Sequence, residues 1–378
     1  MPQRRDLVEI RKRLLEWFRE FQRDLPWRRN KDPYRIWLSE IMLQQTRVAA
    51  VIPYYERFLE RFRDIGALAE APEEEVLRLW SGLGYYSRAR NLQGAARQIV
   101  ATHGGEFPRT AEAALALPGI GSYTAAAILS IAFGAKHAVL DGNVARVIAR
   151  LDAVHGDLRE NGRWMELQKS ADELLEAKSP SDWNQAMMEL GAMICTPRSP
   201  QCLLCPVAEF CRARKLGLTE VIPEKRKKRA TVEITLAAAV FLDARGRTLL
   251  LPPPHGSGKH ATHGDVAPLV SKMWHFPTVS VQDDAARELR EFLRQLGALA
   301  AGKNKQRVEP LSRARHAVTY RAIQLLPYRV RVSRLPRIAG TKVVLLRELV
   351  SRSCVAVSNL TRKIAQAALA EPVGAPKP

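Results

Sequence analysis

The sequence predicts a chain in two parts, a mainly α N-terminal region followed by a smaller α+β region. Three observations carry that prediction. From Arg4 to about Arg214, apolar residues recur at three- and four-residue spacing between Pro and Gly breaks, and no stretch alternates as a strand does. At residues 224–229 the run EKRKKR interrupts the pattern. Beyond it, TVEITLAAAVFL and RTLLL flank the turn Asp243-Ala244-Arg245-Gly246 and read as a β-hairpin. A chain of 378 residues, 46% hydrophobic and 26% charged, is long enough for two or three cores.

In order along the chain, residues 1–218 form the helical domain. A helix start is legible at Ala71-Pro72-Glu73-Glu74-Glu75, with proline early and acids in the first turn. Residues 219–231 are a basic, solvated linker, and 232–370 are the second domain, with a helix at about 283–298 between short strands. PPPHGSGKHATHGD at 252–265 reads as a flexible loop, and the tail EPVGAPKP at 371–378 as disordered.

The net charge of +20 favours a polyanionic partner, nucleic acid first and an acidic membrane surface second. The longest apolar runs, AAAILSIAFGA and ITLAAAVFLD, are too short to span a bilayer, and no signal-peptide core is visible, so a cytoplasmic protein is expected. In that compartment a stable disulfide is disfavoured. Four of the five cysteines, Cys195, Cys202, Cys205 and Cys211, fall within seventeen residues and read as metal ligands; spacing alone leaves zinc and iron–sulfur both open. Cys354 stands alone and is expected to be a small buried hydrophobe.

LALPGIGSYTAAAILSIAFG joins two helices through the tight turn Pro118-Gly119-Ile120-Gly121. Gly119 and Gly121 let the backbone approach another surface, and the next helix presents unpaired N–H groups. Such a hairpin docks a phosphate without lysine, or is a plain turn; the basic charge favours the phosphate.

Two carboxylates carry candidate chemistry. Glu40, three residues after Trp37 and four after Ile36, shares a helix face with apolar neighbours. Desolvation there favours its neutral acid form, which leaving-group protonation requires, although many such glutamates only edge an apolar stripe. Asp141, in VLDGNVARVIARL, is placed to cap a helix. Fixed by backbone N–H groups it is expected to stay ionised, as a partner for a positive sugar should.

LPGIGSYTAAAILSIAFG followed by VLDGNVARV resembles the helix-hairpin-helix DNA glycosylase superfamily, and the spacing C-x6-C-x2-C-x5-C resembles the iron–sulfur loop of its endonuclease III branch. LPWR (25–28), SEIMLQQTRV (39–48) and GLGYYSRARNL (82–92) are similar to adenine DNA glycosylases of the MutY type. The resemblance implies a six-helix barrel plus iron–sulfur module, a Nudix-like α+β C-terminal domain, and one [4Fe–4S] cluster held by Cys195, Cys202, Cys205 and Cys211. It implies excision of adenine mispaired with 8-oxoguanine or guanine from double-stranded DNA by a monomer associated with the nucleoid. Glu40 would protonate adenine, Asp141 would stabilise the sugar cation, and Tyr123 and Asn143 would support them. Gln45 and Tyr85 would wedge into the duplex, while Trp27, Arg28, Leu43 and Thr46 surround the adenine pocket and lesion strand. Arg198, between the first two cysteines, is placed to touch a phosphate. Related bifunctional enzymes carry a lysine where Tyr123 stands; no lysine occurs from 110 to 135, which implies a monofunctional enzyme.

Residues 232–370 carry a fainter likeness. MWHFP (273–277) resembles the tryptophan-containing motif of the Nudix-like domain, with His275 in place of an acid. RELREFLRQLGA echoes a Nudix box, but Arg294 and Gln295 stand at its paired glutamate positions, so a magnesium-dependent hydrolase is disfavoured. The lesion-reading Phe-Ser/Thr-His loop has its nearest match in Val318-Thr319-Tyr320, where only the Thr319 hydroxyl is kept. The alternatives are a sister glycosylase acting on another base and a non-catalytic DNA-binding protein of this fold.

Overall fold

A computed structural model of the protein describes residues 4–224, 230–253, 273–299, 307–318, 320–351 and 355–370. The end of the basic run, most of the 252–265 loop, Thr319, Cys354 and the tail lie outside the described residues. The chain divides into two compact units, Met1–Glu70 with Asn91–Lys227, and Ala71–Arg90 with Lys228–Pro378.

Among its described residues the first unit contains helices and no strand. Its helices are α1 (Arg4–Phe21), α2 (Pro33–Leu43), α3 (Val48–Arg61) and α4 (Ile65–Glu70); α5 (Glu73–Trp80) belongs to the other unit. After α6 (Ser87–His103) come α7 (Ala111–Leu115), α8 (Ser122–Phe133), α9 (Gly142–Asp152), α10 (Asn161–Leu174), α11 (Pro180–Met193) and α12 (Arg212–Lys215). Local chemistry sets the ends. Asp32 accepts from the Tyr34 and Arg35 N–H groups and Pro33 opens α2. Gly134, at φ 69°, closes α8 in the left-handed region that glycine tolerates.

The middle of this unit is built on α2, α8 and α11, which are buried along most of their length. α8 packs on α2 and α11, and α11 also packs on α1 and α9. The approach of α11 to α9 is tight: a Cβ on Gly191 would lie 2.7 Å from the Asn143 Cβ. Only glycine fits, and it brings the start of α9 onto α11.

The second unit is α+β. β1 (Val232–Leu242), β3 (Thr278–Ser280), β4 (Val308–Pro310), β5 (Ala314–Val318) and β6 (Arg321–Arg331) form a mixed sheet, and β2 (Arg247–Leu250) pairs with β7 (Lys342–Leu345). The central pair, β1 and β6, is parallel in the register Val232↔Arg321 to Leu242↔Arg331. β1 is buried on both faces, as a central strand should be. Leu236, Ala238 and Val240 pack with α14 (Asn359–Leu369), and Ala237, Ala239 and Phe241 with α13 (Ala285–Gln295). The sheet is thus covered by one helix on each face.

The structure corrects the hairpin expected at 232–250. The turn forms, with the Gly246 N–H donating to the Asp243 carbonyl and the Asp243 N–H to that of Arg247, but β2 pairs with β7 instead of continuing along β1. β6 occupies one edge of β1 along its whole length and β3 takes Leu236–Ala238 on the other. β2 is left only the end beside the turn.

Candidate active site and cluster loop

α2 and α8 bring the first two candidate residues together. Glu40 is only 6% exposed, and the Tyr123 hydroxyl donates to its Oε2 at 2.6 Å. Burial drives the Glu40 pKa up to about 7; the Tyr123 hydrogen bond and Arg28 pull it down, and Asp141 pushes it up. Burial next to these carboxylates also lifts Tyr123 far above the range in which it could ionise, so it is a donor here.

Asp141 caps α9. Its Oδ1 accepts from the N–H groups of Asn143 at 2.9 Å and Val144 at 2.7 Å, and its Oδ2 from the Asn143 side chain at 3.0 Å. The strand-like lead-in is pinned by Asn184, which accepts from the Val139 N–H at 3.1 Å and donates to Ser130 and to the His137 carbonyl, both at 2.8 Å. Burial raises the Asp141 pKa above its ordinary value, and the backbone bonds offset this only in part.

Around this pair sit charges that the sequence reading did not single out. Glu189, 1% exposed on α11, is bound by Arg23 Nη2 at 2.6 Å and Arg28 Nη2 at 2.9 Å. Burial alone would raise its pKa, but the two guanidiniums outweigh it and hold it near 2. Arg28 is thus fixed by Glu189, and its guanidinium lies 5.4 Å over the Phe18 ring. The only sequence signal was an acid inside the apolar run MMELGAM.

Trp27 is buried edge-on to Tyr55, with ring centroids 5.3 Å apart. Leu43 ends α2 half-buried, and the Thr46 hydroxyl donates to the Gln44 carbonyl. Gln45 is exposed at φ 56°, a conformation costly for a non-glycine residue. The hairpin glycines divide their tasks. Gly119 takes φ 78° and is so close to Asn91 that a Cβ would lie 2.7 Å away, while Gly121 is the N-cap of α8.

From Asp141 a hydrogen-bonded line runs on to the cysteine loop. Arg146 Nη2 donates to Asn143 Oδ1 at 2.9 Å and to the Gly191 carbonyl at 2.8 Å, and its Nε donates to the Cys195 carbonyl at 2.8 Å. Arg150, one turn later, donates to the Ile222 and Thr196 carbonyls at 2.7 and 2.8 Å and lies 3.2 Å from Cys195 Sγ. Both arginines are buried, and their neutral partners leave positive charge beside Cys195. Their signal in the sequence was two arginines four apart in the otherwise apolar stripe of α9.

Cys195, Cys202, Cys205 and Cys211 are all partly buried and unpaired as disulfides. Burial pushes the Cys205 thiol to about 12, and the other three thiols add to that rise. They are electrostatic neighbours, yet among the described residues no three Cys, His, Asp or Glu side chains converge tightly enough for one ion. Four thiolates suit either one tetrahedral ion or a cluster in which each meets a different iron. An anionic cluster also answers the two buried arginines. Arg198 is exposed in the same loop, where the Thr196 hydroxyl donates to its carbonyl at 2.9 Å.

In the α+β unit, Tyr85 is 42% exposed at φ 48°. His275 is buried and held below its ordinary pKa by desolvation. Arg294 and Gln295 are exposed near the end of α13. Val318 ends β5, and Thr319 lies outside the described residues.

Comparison with known proteins agrees with this architecture. Residues 38–173 match the family described as HhH-GPD superfamily base excision DNA repair protein, and residues 195–211 match the iron-sulfur binding domain of endonuclease III. The chain belongs to the helix-hairpin-helix superfamily of base excision DNA repair proteins and carries a [4Fe–4S] cluster in its cysteine loop. Curated proteins similar to the chain include adenine DNA glycosylases. The human one is 48% identical over 56% of this chain and 41% of its own length, and that of Arabidopsis thaliana 34% identical over 73% and 48%. The match thus spans less than half the length of either relative. A thermostable thymine-DNA glycosylase structure is similar over 56% of this chain and 98% of its own, with 31% identity and a TM-score of 0.52. No helix among the described residues is long and apolar enough to cross a membrane.

Proposed function

We propose that this protein is an adenine DNA glycosylase of base excision repair, hydrolysing the N-glycosidic bond of adenine mispaired with 8-oxoguanine or guanine in double-stranded DNA. The observation that carries the reading is Glu40: a buried carboxyl, hydrogen-bonded to Tyr123 at 2.6 Å, with a pKa of about 7. Such a group is about half protonated at neutrality, and its acid form can protonate a purine leaving group. Its Oε2 is engaged by Tyr123, which leaves Oε1 to carry the proton towards adenine N7. Asp141, oriented by two backbone N–H groups and Asn143, supplies negative charge for the oxocarbenium-like sugar. Once adenine has left, the Glu40 carboxylate activates water.

The target base must leave the stack before it is cut. Gln45 and Tyr85 are exposed side chains on left-handed backbone, suited to wedging into a duplex. Trp27, Arg28, Leu43 and Thr46 line the adenine side, with Glu189 holding Arg28. The 118–121 hairpin and Arg198 take phosphates. Cys195, Cys202, Cys205 and Cys211 would hold the cluster, which stiffens its loop and supplies no step of the glycosidic chemistry. With Tyr123 where a lyase needs an amine, the product is an abasic site on an intact strand. The enzyme acts as a monomer in the compartment that holds the genome, and the α+β unit reads the opposing base through Thr319.

Duplexes bearing 8-oxoguanine:adenine, guanine:adenine and guanine:thymine, incubated with protein and then treated with alkali, test the reading. Alkali-dependent breaks at adenine alone are expected. Breaks at thymine would favour the sister activity, and no breaks at all would favour a non-catalytic DNA-binding protein.

A further inference from the structure

The turn that carries Tyr85 is held by residues that lie far from it in sequence. Gly82 and Gly84 adopt φ 117° and 74° without strain, but Tyr85 at φ 48° does not. A strained, exposed aromatic persists only where its surroundings fix it. Nearby in sequence, the Trp80 indole donates to the Gly84 carbonyl at 3.2 Å, and Arg88 reaches the Leu83 and Gly84 carbonyls at 3.4 and 3.3 Å. The Arg88 guanidinium lies 5.5 Å from both the Trp80 and Tyr85 rings.

Further bonds come from the start of α14 and the residues just before it. Asn359 donates from Nδ2 to the Gly82 carbonyl at 3.2 Å. Arg362 Nη2 donates to the Ser81 hydroxyl at 2.9 Å, and that hydroxyl donates to the Val357 carbonyl at 2.7 Å. Ser81 is 6% exposed, so these bonds are shielded from water, where each counts for more than at the surface. α14 is itself locked: Ser358 caps it through the Thr361 N–H, and Leu360 and Ile364 are buried in the sheet core. One end of a rigid, core-anchored helix therefore grips both residues that lead into the glycine turn.

The geometry points to Asn359 and Arg362 as positioning residues that fix the backbone beneath Tyr85, so that the C-terminal helix sets how effectively the tyrosine ring opens the duplex. Neither residue need touch DNA. This rests on the glycosylase reading only in taking Tyr85 as the duplex wedge, and base unstacking can be followed without excision.

The test uses the full chain and a guanine-mispaired duplex with 2-aminopurine in place of the adenine, whose fluorescence rises on unstacking, alongside excision from the guanine:adenine duplex. Asn359→Ala/Arg362→Ala should lower both the fluorescence rise at saturating protein and the single-turnover excision rate by roughly tenfold, the effect of two shielded hydrogen bonds. Tyr85→Ala should match it, and combining all three should add nothing further. Arg362→Lys, which keeps a cationic donor, should restore part of the loss on the Asn359 wild-type background. A fluorescence rise unchanged from wild type, or a loss that adds to that of Tyr85→Ala, overturns the proposal. Should the double variant melt early, Ser81→Ala removes the shared hydroxyl alone and is held to the same two outcomes. A wild type that unstacks 2-aminopurine but excises no adenine would sink the functional reading and leave this one standing.

Discussion

Both units bury charge, but the helical unit gathers its buried charges around shared partners, whereas the α+β unit holds Arg88, Asp243 and Arg329 singly, each on nearby backbone. Glu40, Glu189, Arg146 and Arg150 are all less than a tenth exposed in the first, and each has a fixed partner. In the second, β1 buries a run of alanines and valine, and the arginines of α13 point outward. Burying a charge is unfavourable unless its partners are arranged with care, so a region full of such groups has been shaped by something other than stability. The difference lies in how the charges are connected: among the helices Arg23 and Arg28 converge on Glu189, whereas in the α+β unit each buried charge anchors one local stretch of backbone.

The largest expected effect comes from breaking the helical side at its centre. Glu40→Gln should keep duplex binding and lose excision by on the order of a thousandfold, read by single-turnover kinetics. Binding lost in parallel would instead make Glu40 a structural residue. Next is Glu189→Leu, which strands Arg23 and Arg28 beside an apolar side chain. It should cost roughly 3 kcal/mol in denaturant unfolding, typical of removing one partner from a buried pair. The wild type should show the linked pH dependence. The Glu189 pKa falls on folding, to about 2, so its contribution is fully present above the unfolded carboxylate range and is lost as pH falls towards 2. The sign for Glu40 is opposite: its stabilising protonated form is complete in acid and is lost as pH rises through about 7.

A third effect sharpens the link between site and cluster. Arg150→Met removes donors from the Thr196 and Ile222 carbonyls and a charge from beside Cys195. Iron content and visible absorbance per chain should fall; full cluster loading in the variant would show that Arg150 serves only the protein fold. The smallest expected effect lies on the sheet side. Arg290→Ala, on the exposed face of α13, should change stability by less than about 0.5 kcal/mol in a thermal melt. A larger loss would mean that α13 depends on its exposed charges as well.

The same division governed what could be read in the sequence. Glu40, the Asp141 cap, the hairpin glycines and the cysteine spacing are local patterns, and each declares itself within a few residues. The extent of α13 was equally legible from its periodicity. What stayed hidden was pairing at a distance. Nothing near Glu189 names Arg23 and Arg28, which precede it by more than 160 residues. Nothing in RTLLL reveals that β7 is a better partner than β1, because the choice depends on β6 and β3 having filled the edges of β1. The burial of Asp141 was hidden for a related reason: its N–H bonds are visible in the sequence as a cap, but the burial that outweighs them is a property of the assembled helices.

Glu40 as a buried acid tuned by Tyr123 is put to the test by the pH profile of single-turnover adenine excision. In the wild type the rate should fall as pH rises through about 7. Tyr123→Phe removes the hydrogen bond that holds the Glu40 pKa down, so its alkaline limb should move to higher pH while the acid plateau is reduced. A limb that stays in place in Tyr123→Phe, or a wild-type rate that does not fall above neutrality, would contradict the account.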